Sequence, residues 1–168
     1  GSTVKLNDPA CTPPGGVRCS SGTMCNTISA NDAVTTSGQF SDGATIRLLA
    51  TANITAYRFE MRGNRARDGM RADGSGSYIA ISDCLLVENQ LARQLIRSEG
   101  STSFGAIDNC TVARNTIGST DVLHNEYRLS LSASIIDQPG NLTLAYSGSA
   151  SQLSVSNVLS ADITTLPA

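Results

Sequence analysis

Tryptophan is absent, a single histidine is present, and aromatic residues make up only 4% of this 168-residue chain. Lysine is nearly absent too, with Lys5 alone, and charged residues of both signs reach 15%. The formal net charge is −2. A nucleic-acid surface carries a stronger positive balance, and here the only basic cluster runs from Arg58 to Arg71, so no nucleic-acid partner is expected. No apolar run is long enough to cross a bilayer as a helix, so no membrane span is expected. One histidine and no Cys-x-x-Cys spacing leave no common metal signature, and no cofactor is expected. No leader pattern is visible. Gly1-Ser2 looks like the remnant of a proteolytic cut, which leaves room for a removed leader. Ser, Thr, Gly and Asn are abundant instead, a composition that favours strands and tight corners over helices. The length suits one domain.

One phrase is written twice. Ser77-Tyr78-Ile79-Ala80-Ile81-Ser82-Asp83-Cys84-Leu85-Leu86-Val87-Glu88-Asn89 returns 26 residues later as Ser103-Phe104-Gly105-Ala106-Ile107-Asp108-Asn109-Cys110-Thr111-Val112-Ala113-Arg114-Asn115. A fixed period of this length marks a solenoid or array. Ile79 and Ile81 alternate with small or polar residues, which is strand periodicity. Ser82-Asp83 and Asp108-Asn109 break the alternation, and Asn tolerates the left-handed conformation that a sharp corner needs. Cys84 and Leu86 then resume an inward pattern. Downstream, Leu129, Leu131, Ser134 and Ile136 take the same places, and Leu153 and Val155 follow one coil later. Upstream, Ile54, Ala56, Phe59 and Met61 fit. Between these double strands a third short strand is expected at Met70-Arg71-Ala72, Ile96-Arg97-Ser98, Leu123-His124-Asn125 and Leu144-Ala145-Tyr146.

Three strands per coil and stacked apolar positions describe an all-β, triangular solenoid of about five coils. Over roughly residues 42–166 the chain resembles the right-handed parallel β-helix repeat proteins, the architecture of pectate lyases and of many secreted bacterial envelope proteins. The resemblance implies a fold and leaves activity open, because unrelated functions share folds. Many secreted members open with a Cys-containing segment, a Thr-Ile-x-x-Ala helix and a Gly-Asp-x-Ile strand. Here Cys25-Asn26-Thr27-Ile28-Ser29-Ala30 precedes Asp42-Gly43-Ala44-Thr45-Ile46-Arg47-Leu48. Residues 1–41 are accordingly expected to be an amino-terminal cap. Residues 1–24 read as irregular, and a short helix is expected over 26–34 with Asn26 as its cap and Ile28, Ala33 and Val34 on one side. Ile46-Arg47-Leu48 is expected as the first strand, opening a β-helix over 42–168.

Cys11, Cys19 and Cys25 crowd the amino-terminal segment, where one disulfide plus one free thiol is expected, without the pairing being readable. That points to an oxidising, extracytoplasmic setting, secreted or in the cell envelope. Cys84 and Cys110 occupy one inward slot in successive coils. Equivalent strand positions lie ~4.8 Å apart, whereas a disulfide prefers about 3.8 Å between Cβ atoms, so two stacked free thiols are expected. Asn53-Ile54-Thr55, Asn109-Cys110-Thr111 and Asn141-Leu142-Thr143 match the glycosylation pattern but read as chance in a chain of bacterial type.

A polar stripe is expected on the third strand. Arg71, Arg97 and His124 fall at one outward position, and Asp73, Glu99 and Glu126 fall two residues later on the same face. Tyr146 closes the row and offers a stacking surface. Such a mixed row suits the hydroxyls of a polysaccharide. A solvated ladder of ion pairs explains it at least as well, each exposed pair contributing about 0 to 1 kcal/mol. Arg65, Arg67, Asp68 and Arg71 form the densest charge and are the catalytic candidates if the chain is an enzyme, with Asp73, Arg97, Glu99 and His124 in reach of the same cleft. However, the Arg-x-Pro-x-x-Arg motif of pectate lyases and the Asn-Thr-Asp, Asp-Asp and Gly-His-Gly motifs of polygalacturonase-like hydrolases are absent. His124 also lacks a Gly-x-Ser-x-Gly nucleophile.

The expected function is therefore a non-catalytic, adhesin-like module presenting a polar face to a polysaccharide or surface ligand. A lyase or glycoside hydrolase acting on an acidic polysaccharide is the alternative, and a purely structural stalk is the third. Nothing after Val155, Val158 and Ile163 reads as a cap for the last coil. Either the chain is cut from a longer protein, or a homodimer forms through the carboxyl-terminal coil.

Overall fold

A computed structural model describes residues 3–5, 26–33, 43–49, 51–100, 102–138, 143–147 and 153–160, with backbone only at 3–5, 26 and 143–147. The chain opens with β1 (Thr3–Lys5) and β2 (Asn26–Ser29). It then runs through β3 (Ala44–Leu49), β4 (Asn53–Tyr57), β5 (Phe59–Arg62) and β6 (Arg65–Ala66). The next coil repeats them as β7 (Asp68–Asp73), β8 (Tyr78–Ser82), β9 (Leu85–Val87) and β10 (Gln90–Leu91). A further coil holds β11 (Ile96–Glu99), β12 (Phe104–Asp108), β13 (Thr111–Ala113) and β14 (Thr116–Ile117). After it come β15 (Asp121–Asn125), β16 (Arg128–Ser132) and β17 (Ile135–Asp137), then β18 (Thr143–Ser147), β19 (Leu153–Ser156) and β20 (Leu159–Ser160).

From β2 onward each strand pairs in parallel with its counterpart one coil away, so the fold is an all-β parallel solenoid of about four turns. Ile81 faces Ile107, which faces Leu131 and then Val155. Ile79, Ile81, Ile107, Leu129 and Leu131 are buried in one continuous core with Met61, Leu86, Val112 and Ile136. The period-2 pattern thus buries one side of every coil, and stacking supplies the backbone bonds that a lone coil lacks.

Three of the coils carry a fourth strand beyond the three expected, while β15–β17 and β18–β20 show three among the described residues. The fourth is the two-residue sheet β6–β10–β14, too short to show any alternation. The expected helix over 26–34 is not there, since 26–29 form a strand that pairs with β5. Ile28 packs opposite Met61 and is buried. By pairing, this segment covers the sheet edge that a helix would leave open. Strands therefore precede β3, and Thr3–Lys5 is a strand antiparallel to β2 where irregular chain is expected. Near the other end, Ala145 rather than Leu144 lies opposite Leu123. Apolar identity is a poor guide to register when neighbouring positions are apolar too. Cys11, Cys19, Cys25, Val34 and Ile163 lie outside the described residues.

The corners carry the left-handed conformation in columns. Arg58, Asp83, Asn109, Ala133 and Asn157 have φ between 48° and 53°, one per coil. A second column runs through Ala30, Gly63, Glu88 and Arg114. Immediately after it, Asn64, Asn89 and Asn115 are buried and form a ladder. Asn64 Nδ2 donates to Asn89 Oδ1 at 2.9 Å, and Asn89 Nδ2 to Asn115 Oδ1 at 2.9 Å. Asn31 extends it at one end and Gln138 at the other. Each amide also donates to a carbonyl inside the turn, Asn89 to Met61 at 3.0 Å.

Cys84 and Cys110 are joined by a disulfide, against the expectation of free thiols. Each follows a left-handed corner residue, Asp83 or Asn109. Their Cα atoms lie 4.4 Å apart, closer than the ladder spacing of ~4.8 Å and within disulfide reach.

Candidate functional site

The charged face lies on the sheet β3–β7–β11–β15–β18. Backbone register puts Arg47, Arg71, Arg97, His124 and Tyr146 in one column. Asp73 and Glu99 stand opposite each other two residues on. Strand alternation therefore brings together most of the residues picked from the sequence, and it adds Arg47. Arg47 escapes a repeat search because β3 lies upstream of the well-matched copies. Tyr146 has its side chain outside the described part.

These charges are bound to one another. Arg71 Nε donates to Asp73 Oδ1 at 2.5 Å and its Nη2 to Glu99 Oε2 at 3.1 Å. Arg97 Nη2 also donates to Glu99, and Arg47 Nε donates to Asp73 Oδ2 at 2.7 Å. Burial alone would raise the carboxyl pKa of Asp73, but the Arg47 and Arg71 hydrogen bonds hold it below the ordinary range. Glu99 behaves alike, its burial outweighed by the bond from Arg97. Arg71 is held in its charged form by the same bonds, against the cost of its burial.

A further column was missed. Asp68, Gln94 and Asp121 each stand three residues before the base of their coil. The signal is in the sequence as Asp-x-x-Arg-x-Asp, Gln-x-x-Arg-x-Glu and Asp-x-x-His-x-Glu. Arg97 Nη1 donates to Gln94 Oε1 at 3.0 Å, and Gln94 Nε2 to Asp121 Oδ2 at 3.1 Å. His124 Nδ1 lies 2.9 Å from Asp121 Oδ2, three residues before it. Glu126 accepts the Gly100 backbone N–H at 3.0 Å. Burial would raise the Asp121 pKa, but the bonds from His124 and Gln94 bring it below the usual value.

Asp68 is 0% exposed, neither carboxylate oxygen has a hydrogen bond, and Arg71 Nη1 is 3.8 Å away. Burial raises its pKa against the opposing charges of Arg97, Arg71, Arg93 and Arg67. A group so enclosed cannot touch a polymer on the surface, which removes Asp68 as a direct acid or base. Arg65 sits apart on β6, bound to Asp32 at 2.9 Å and to Gln90 at 3.0 Å. No group of three His, Cys, Asp or Glu poised to hold a metal occurs among the described residues, and no helix there is long and apolar enough to cross a membrane. No family model, no curated protein and no solved structure matches the chain.

Proposed function

We propose that this solenoid is a non-catalytic, secreted or cell-envelope module that holds an extended polysaccharide, or a similarly repetitive surface ligand, along β7, β11 and β15. The observation that carries the reading is the row of bases Arg71, Arg97 and His124 on one parallel sheet, with the acids Asp73 and Glu99 two residues after the first two. Successive coils repeat it every ~4.8 Å, so a linear polymer meets similar donors and acceptors at each step. Ion pairs hold Arg71 and Arg97 in place before a ligand arrives, which lowers the entropic cost of binding. A coil-to-coil disulfide fits an oxidising compartment. A right-handed winding, about five coils and kinship with pectate-lyase-like proteins belong to the same reading. So does self-association through the last coil, where Leu159 is 68% exposed, and light scattering on the purified chain tests that point.

The Asp121–His124 pair favours the second reading, a lyase or hydrolase on acidic polysaccharide, because a carboxylate that orients an imidazole is a common base arrangement. A glycan array combined with an assay for unsaturated or reducing ends separates the two. Retention of extended glycans without product is expected. Turnover abolished by Arg71→Ala or His124→Ala would overturn the non-catalytic reading. A blank array would leave a structural stalk.

A further inference from the structure

The corner between β6–β10–β14 and the charged sheet widens as the solenoid advances. Three residues separate Ala66 from Met70, four separate Leu91 from Ile96, and five separate Ile117 from Leu123, although each set is in register. The added residue places Arg93 on top of Arg67, its N–H donating to the Arg67 carbonyl at 2.8 Å. Gly69 permits the close approach, since a Cβ there would lie 2.4 Å from the Leu95 carbonyl oxygen.

Among the described residues, arginines outnumber acids at this corner, and Arg67 has a further partner of its own. Arg47, Arg67, Arg71, Arg93 and Arg97 gather around Asp68, Asp73 and Glu99. In the coil of Arg93 the residue aligned with Asp68 and Asp121 is Gln94, so the acidic column skips a charge beside it. Arg71 and Arg97 are taken by Asp73 and Glu99. Asp68 lies beneath, out of reach of solvent. Arg93, half-buried, makes no ion pair or side-chain hydrogen bond with any described residue. Its burial and then the charges of Arg97 and Arg67 lower its pKa, which means that the cluster resists one more proton and favours an incoming anion.

We propose that Arg93 forms an oxyanion subsite that takes a carboxylate or sulfate group of an anionic glycan lying along the charged sheet. This rests on the polysaccharide reading above and specifies its ligand class. Guanidinium groups suit oxyanions because their planar forks donate two parallel hydrogen bonds. The subsite differs from the column of Arg71 and Arg97, whose forks are already engaged.

The full chain, labelled with 15N, tests it through the arginine Nε–Hε resonances. Sodium sulfate, titrated at constant ionic strength against chloride, is expected to shift Arg93 saturably. The neighbouring Arg67 and Arg97 Nε–Hε resonances are expected to shift with it; Arg93→Gln abolishes those shifts and Arg93→Lys keeps part of them, with unchanged melting as the check on folding. Oligogalacturonate and sulfated dextran oligomers then compare carboxylate with sulfate, and neutral dextran serves as control. Arg93→Gln is expected to weaken the better anionic oligomer about tenfold, equivalent to about 1.4 kcal/mol. A shift that does not saturate, or equals that with chloride, overturns the subsite. Unchanged oligomer affinity in Arg93→Gln also overturns it while leaving the polysaccharide reading standing. Saturable sulfate binding without any oligomer binding upholds the subsite and sinks the polysaccharide reading.

Discussion

Two columns climb this solenoid side by side and solve stacking in opposite ways. At the corner after β5, β9 and β13 the same residue recurs, as Asn64, Asn89 and Asn115. On the charged sheet Arg47, Arg71 and Arg97 also recur, but beside a column of acids, Asp73 and Glu99. An amide both donates and accepts, so identical amides bond to each other along the axis. Identical charges repel at strand spacing, so each arginine must find acids in its own coil and the next. Neutral columns can therefore be buried and uniform. Arg71 and Arg97 stay half-buried and need a column of opposite sign beside them, which leaves remainders such as Arg93.

The neutral interior should be the most fragile part. Ile107 is 1% exposed between Ile81 and Leu131, and Ile107→Asp is expected to abolish folding, because it buries a charge without a partner. A cooperative melting transition in that variant would refute the continuous core.

Asn89→Ala comes next. It deprives the Asn64 backbone N–H, Asn64 Nδ2 and the Met61 carbonyl of buried partners, while Asn115 Oδ1 keeps the backbone N–H of residue 89. The expected loss is about 4 kcal/mol, from about 1–3 kcal/mol per stranded group. Denaturant titration reads it, and a loss of the size seen for an exposed ion pair would erase the contrast between the two columns.

The disulfide closes a separation of 26 residues, for which chain entropy gives about 3.5 kcal/mol. The Cys84→Ala/Cys110→Ala double variant should lose most of that and stay folded, as urea denaturation would show. A double variant as stable as the parent would mean that the bond adds nothing.

The smallest effects separate two acids by sign. Asp68 has a raised folded pKa, through burial above all. Its contribution is complete below the unfolded value and is lost as pH rises through the folded one. Asp68→Asn should thus be more stable than the parent at neutral pH, with the gain fading on acidification. Asp73 has a lowered folded pKa, the Arg47 and Arg71 bonds outweighing its burial. Its contribution is present above the unfolded value and is lost as pH falls through the folded one. Asp73→Asn should therefore be less stable at neutral pH and equal to the parent in strong acid. Melting curves from acid to neutral pH compare them, and slopes of the same sign for both variants would contradict the opposed environments.

Much was readable from residue order alone. The 26-residue repeat and the alternation of Ile79 with Ile81 determined strands, stacking and core, because side chains in a strand alternate and identical coils can only bury their apolar side against each other. The column of Arg71, Arg97 and His124 followed from the same count. Tertiary structure decided what depends on distance between coils or on a corner's local geometry. Cys84 and Cys110, each after a left-handed residue, lie within bonding range. Pairing with β5 turned a helical-looking segment, Asn26–Ser29, into a strand. Only the folded corner revealed that Asp68 is sealed beneath the arginines and that Arg93 makes no ion pair with a described residue, although Asp68 and Glu99 lie within range of its charge. Spacing tells which residues share a column, but burial and partner choice depend on how far apart neighbouring columns lie, and that distance is set by the packed corner and not by the period.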